Sequence, residues 1–202
     1  MSTFQFPKSI ASRPVYGTLA ARPGPAHLMV ADAEGAEALV DLAASASGLM
    51  DKAHVIYLPK GTGEIYAERL RTLAPAQLYI GPSYSAAEPR LKKALADAHM
   101  GLQVYLAGTE GLMGLAMREA INAGIPAGAI QTEHRGSVAR RMQCVHCKGI
   151  TEDVSTDPFV CAHCGLNLFV RDHYSRRMAA FQGVCIDAED PGDVPPPKEL
   201  YS

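Results

Sequence analysis

The chain has 202 residues, 48% of them hydrophobic, which is enough for one core of ordinary size and a satellite too small to stand without added support. A formal charge of -2 at pH 7 gives no general attraction for nucleic-acid phosphates, so nucleic acid is not an expected partner. No apolar run approaches the roughly 20 residues that would span a bilayer, and a cytoplasmic protein is expected.

Residues 1–25 carry Pro7, Pro14, Pro23 and Pro25 among small and polar residues, a composition for an extended arm lying on a larger body or on another subunit. From His27 the pattern changes. Short apolar runs at residues 27–31, 53–58, 77–81 and 102–107 read as strands. Between and after them, residues 36–47, 63–73, 88–99 and 111–123 bring apolar side chains back at three- and four-residue steps and read as helices. Strands alternating with amphipathic helices predict a parallel α/β sheet, whose ligands lie at the carboxyl ends of the strands. Residues 129–133 supply one more strand, and Arg135-Gly136-Ser137 is a hinge, placing this domain at 26–136.

Beyond the hinge stand two C-x2-C pairs, Cys144-Val145-His146-Cys147 and Cys161-Ala162-His163-Cys164, thirteen residues apart. Thiolates at this spacing can fold onto one tetrahedral ion with bonds of about 2.3 Å. Gly149 and Gly165 follow the pairs and permit turns that aim backbone N–H groups at sulfur. A disulfide framework is not expected, because no charged-then-apolar leader opens the sequence and Cys185 would remain unpaired. Structural zinc is the favoured ion, and a rubredoxin-like iron in the same four-cysteine site is the alternative. His146 and His163 are expected as exposed turn residues, and Cys185 as a buried small hydrophobe.

The cysteine module, residues 137–186, lies in a locally basic stretch: Arg135, Arg140, Arg141, Lys148, Arg171, Arg176 and Arg177 stand against Glu152, Asp153, Asp157 and Asp172. This suits either a solvated surface with ion pairs or docking onto an acidic partner. Residues 166–170 read as a third ribbon strand and 172–181 as a helix. On a helix Asp172 and His173 diverge, so no catalytic pair is expected there. The acidic, Pro-rich tail at 187–202 is expected to be mobile.

The stretch Val104-Tyr105-Leu106-Ala107-Gly108-Thr109-Glu110-Gly111-Leu112-Met113, then Ala123-Gly124-Ile125-Pro126 and Ile130-Gln131-Thr132-Glu133, resembles the last nicotinamide-binding motif of ferredoxin-reductase-type domains. Ala107 and Thr109 depart from the cysteine and proline of that pattern. The first strand leads not into a glycine-rich pyrophosphate turn but into Asp32, Glu34 and Glu37, whose charge opposes an anion. The 25 residues ahead of the domain are too few for a flavin-binding barrel. A degenerate reductase-like domain without dinucleotide binding is therefore expected.

Combined with Thr132-Glu133-His134-Arg135-Gly136, with residues 144–152 and with Val170-Arg171-Asp172-His173-Tyr174-Ser175-Arg176-Arg177, the chain is similar to the small-subunit family of bacterial dimethylamine monooxygenases. The resemblance implies an assembly that uses NADPH and dioxygen to demethylate dimethylamine to methylamine and formaldehyde. It places haem on an oxygenase subunit, and flavin and an iron–sulfur cluster on a reductase subunit. The present chain is then a non-catalytic third partner with metal ligands Cys144, Cys147, Cys161 and Cys164 and no catalytic or cofactor-binding residue. The alternative reading makes it an electron carrier with iron in that site.

Overall fold

The computed structural model describes residues 13–61 and 64–201, which form two compact units. Residues 1–12 of the expected arm lie outside the described residues. Tyr16–Ala139, with Tyr201, makes the first unit, and Arg140–Leu200, with residues 13–15, makes the second.

In the first unit the strands are β1 (His27–Asp32), β2 (Ala53–Leu58), β3 (Gln77–Ile80), β4 (Gln103–Gly108) and β5 (Ile130–His134), and the helices are α1 (Gly35–Ser45), α2 (Ile65–Thr72), α3 (Tyr84–Ala96) and α4 (Glu110–Asn122). All strand pairs are parallel, in the order β3-β2-β1-β4-β5. Buried strands with a period of two feed two separate cores. Met29, Ala31, Val55, Tyr57, Tyr105 and Ala107 face Leu39, Leu42 and Leu70 of α1 and α2. Leu28, Val30, Ile56, Leu58, Val104 and Leu106 face Leu91, Met113 and Ala116 of α3 and α4. Because both faces are covered, the central strands β1, β2 and β4 read as mainly apolar runs. The order reverses between β1 and β4, which makes their carboxyl ends the switch point where such sheets place ligands.

The last part of the arm packs on this unit. The Gly17 N–H donates to the Thr132 carbonyl at 2.9 Å, and the Leu19 N–H to buried Glu133 at 2.7 Å.

The second unit contains β6 (Arg140–Cys144), β7 (Ile150–Val154), β8 (Thr156–Asp157), β9 (Phe159–Val160), β10 (Asn167–Ser175), β11 (Ala180–Cys185) and β12 (Lys198–Glu199). Its five-stranded sheet runs β7-β6-β11-β10-β9. Two expectations fail here. Residues 172–181 are not helical: they continue β10, turn through Ala179 at φ 50° and start β11. Pairing wins because Tyr174 meets Phe181 across the hairpin, ring centroids 5.0 Å apart, and Phe181 enters the ribbon core. Nor is the tail free along its length, since β12 pairs antiparallel with β8 and the Leu200 N–H donates to the Ser155 carbonyl at 2.9 Å.

Candidate metal centre and strand-end crevice

Two antiparallel hairpins carry the cysteine turns, one between β6 and β7 and one between β9 and β10, with β11 joining the two in one sheet. The turns share a backbone pattern. The Lys148 N–H donates to the Cys144 carbonyl and the Gly165 N–H to the Cys161 carbonyl, each at 3.0 Å. The Cys144 N–H donates to the Gly149 carbonyl and the Cys161 N–H to the Leu166 carbonyl, each at 2.9 Å. The first knuckle differs from expectation in one residue. Lys148, at φ 65°, takes the left-handed position that Gly165 takes at φ 73° in the second. Gly149 serves another purpose: a Cβ there would overlap the His163 ring, whose Nε2 lies 2.7 Å from the Ile150 carbonyl oxygen.

The result is a cluster of four sulfurs within 4.8 Å of one another. Cys144 Sγ is 3.9 Å from Cys164 Sγ, and Cys147 Sγ is 3.7 Å from Cys161 Sγ. A tetrahedron with metal–sulfur bonds of about 2.3 Å has edges of about 3.8 Å, and these two distances match it, so the four thiols could hold a metal ion. Cys144 and Cys161 are buried against Met142, Leu168 and Phe181, and the Gly149 N–H donates to Cys147 Sγ at 3.4 Å. Burial pushes the Cys161 thiol up, but the N–H groups of Cys164 and His163 and the neighbouring thiols bring it down to about 6. For Cys164 the Leu166 N–H favours the thiolate, while burial and the three other thiols push it up to about 12. Crowded thiolates oppose one another, and a divalent cation at their centre offsets that repulsion.

Surrounding residues divide the basic stretch. Arg140 donates to Asp172 at 2.8 Å and stacks 4.3 Å from the Phe181 ring centroid, and Arg13 pairs with the same carboxylate. Arg141 donates to Glu152 at 2.8 Å. Arg171, Arg176 and Arg177 are exposed along β10 and at its turn, with no salt bridge found among the described residues. His146 and His163 are exposed. Cys185 is half-buried rather than buried, because its thiol donates to the Asp187 carboxylate at 3.2 Å.

In the first unit, Asp32 and Thr109 meet at the switch point. Asp32 is 1% exposed and accepts from the Thr109 N–H at 2.7 Å and the Thr109 hydroxyl at 2.5 Å, with Lys60 Nζ at 3.5 Å. Gly108, at φ 118°, leaves the room, since a Cβ there would overlap Asp32 Oδ1. Sequence reasoning placed Asp32, Glu34 and Glu37 together as repelling charges. The structure separates them: Asp32 ends β1 and binds Thr109 after β4, Glu34 precedes α1, and Glu37 pairs with Arg69 at 3.5 Å. The Asp32–Thr109 pair had one signal in the sequence, the threonine standing where the reductase pattern has proline.

Comparison with known proteins follows the same division. Residues 8–130 match the N-terminal domain model, and residues 141–184 the C-terminal domain model, of the dimethylamine monooxygenase subunit DmmA-like family. The chain is 34% identical over 110 residues to the heme-dependent oxidative N-demethylase delta subunit of Ectopseudomonas mendocina (strain ymp), an alignment covering 54% of this chain and 63% of that relative. Among solved structures, phthalate dioxygenase reductase superposes with a TM-score of 0.46 at 14% identity, covering 70% of this chain and 47% of that one. With both of its domains matched in order over more than half its length, the chain belongs to the DmmA-like family of dimethylamine monooxygenase subunits.

Proposed function

We propose that this chain is a non-catalytic docking subunit of a cytoplasmic, multicomponent monooxygenase that uses NADPH and dioxygen to demethylate dimethylamine to methylamine and formaldehyde. Its partners are a haem-containing oxygenase subunit and a flavin and iron–sulfur reductase subunit, and the chain alone has no activity. The observation that carries this reading is the Asp32 carboxyl group, buried on Thr109 at the switch point where a dinucleotide pyrophosphate would need space and positive potential. A buried carboxyl group there takes up room that a phosphate would need, and its ionised form repels the anion.

Cys144, Cys147, Cys161 and Cys164 hold one structural zinc ion, which ties the two hairpins of a unit whose core otherwise rests on Met142, Val154, Phe159, Leu168 and Phe181. The exposed Arg171, Arg176 and Arg177 offer a basic edge to an acidic partner surface. NADPH titration of the purified chain is expected to give no saturable signal, while pull-down recovers the two partner subunits. Saturable NADPH binding at micromolar concentration, or failure to retain either partner, contradicts the reading.

A further inference from the structure

The opposite end of the same sheet carries a cavity that the docking role does not use. It opens at the amino ends of β1, β2 and β3 beneath the second half of α3 and has a volume of about 520 Å³. That is within the range of small-molecule pockets and too large for a bare inorganic ion. Leu28 and Leu102 contribute buried apolar surface to its lining, and the polar side chains on it are His27, Lys52, His54, Gln77, Arg90, Lys93, Asp97 and His99.

Their charges do not balance. Asp97 is bound by Lys93 at 2.9 Å, so three cationic side chains meet one carboxylate and leave an excess of two positive charges. No salt bridge to Lys52 or Arg90 is found among the described residues. Arg90 is held in place, its guanidinium 5.7 Å from the Tyr79 ring centroid and its Nε donating to His54 Nε2 at 3.4 Å, which leaves the terminal nitrogens for another acceptor. His27 is 4% exposed, and its buried Nδ1 has no hydrogen-bond partner among the described residues. Burial and nearby Lys52 hold His27 below its ordinary range, and burial and Arg90 do the same for His54, so both rings are neutral donor–acceptors at pH 7.

We infer that this cavity binds a small organic phosphate monoester, its dianion set among Lys52, Arg90 and Lys93 and its apolar body against Leu28 and Leu102. The charge excess matches a dianion, a guanidinium fork suits tetrahedral phosphate oxygens, and a neutral imidazole can donate to one of them. The site lies at the end of the strands away from the Asp32 crevice, so it stands or falls apart from the docking role.

Phenyl phosphate, titrated into the full chain at low salt with the His27 and His54 imidazole resonances followed by NMR, tests this directly. Saturable shifts of both rings are expected, with affinity falling about tenfold in Lys52→Ala and again in Arg90→Ala. Both side chains are exposed, so neither change removes core packing. Benzoate, with one charge, and inorganic phosphate, with no apolar body, are expected to bind more weakly. Absence of saturation at millimolar phenyl phosphate, affinity unchanged in both variants, or benzoate binding as tightly would each overturn the assignment.

Discussion

Asp32 and Thr109 form a buried acid and hydroxyl pair that fixes the end of β1 to the turn after β4. Burial raises the Asp32 carboxyl above its ordinary value of 3.8, with the Thr109 and Lys60 contacts pulling the other way. A carboxyl raised in the folded state contributes stability that is complete below its unfolded pKa and lost as pH rises through the folded one. Asp32→Asn mimics the protonated group. The wild type should therefore lose stability relative to this variant as pH rises above about 4, a difference read from urea midpoints across pH. A constant difference would show that Asp32 is not desolvated. Thr109→Val removes a hydroxyl donor to the same buried group, at an expected cost of about 2 kcal/mol in urea unfolding. At the metal centre, Cys161→Ser exchanges a buried sulfur for a harder oxygen. Metal content should fall and the β6–β11 region should lose its amide dispersion in NMR, whereas retention of both would remove Cys161 from the ligand set.

Among the elements, those of the parallel sheet were legible because strands covered on both faces leave unbroken apolar runs, and the helices between them keep one apolar stripe. The predicted strand at 53–58 coincides with Ala53–Leu58, and that at 27–31 differs from His27–Asp32 by one residue. The predicted helix at 88–99 was less well placed. α3 begins earlier, at Tyr84, with Ser83 accepting from the Ala86 N–H, and Pro89 lies inside it rather than before it. In the ribbon, short strands bury few residues each, and Asp172 to Phe181 carried no strict alternation. Long-range contacts invisible to local pattern, Tyr174 with Phe181 across the strands and Phe181 in the ribbon core, favour the hairpin. Long-range packing likewise explains Gly183, where a Cβ would lie 2.7 Å from Phe159 Cζ and 2.9 Å from Leu168 Cδ1. Gly183→Ala should destabilise the ribbon by about 1–3 kcal/mol, seen as a lower melting temperature of that unit with the parallel sheet unaffected. An unchanged melting temperature would mean that Phe159 moves aside at no cost.

At the scale of the whole molecule, the two units differ in what sustains them. One has a core on each face of a five-stranded sheet, while the core cluster of the other is built from seven buried residues, two of them cysteines, among the described residues. The four-cysteine cluster itself was legible from spacing alone, and the structure brings all four sulfurs together. The lysine that replaces glycine in the first knuckle and the ring that fills the space over Gly149 depend on tertiary neighbours and were not. Chelation should unfold the ribbon while the parallel-sheet unit keeps its own later transition in calorimetry; one shared transition would contradict this difference. The central claim, an architectural rather than electron-carrying cysteine centre, rests on which ion the four thiols hold. Metal analysis and the visible spectrum of the aerobically purified chain test it most directly. The account predicts one zinc per chain and no colour, and iron with thiolate-to-iron absorption would contradict it and make the chain an electron carrier.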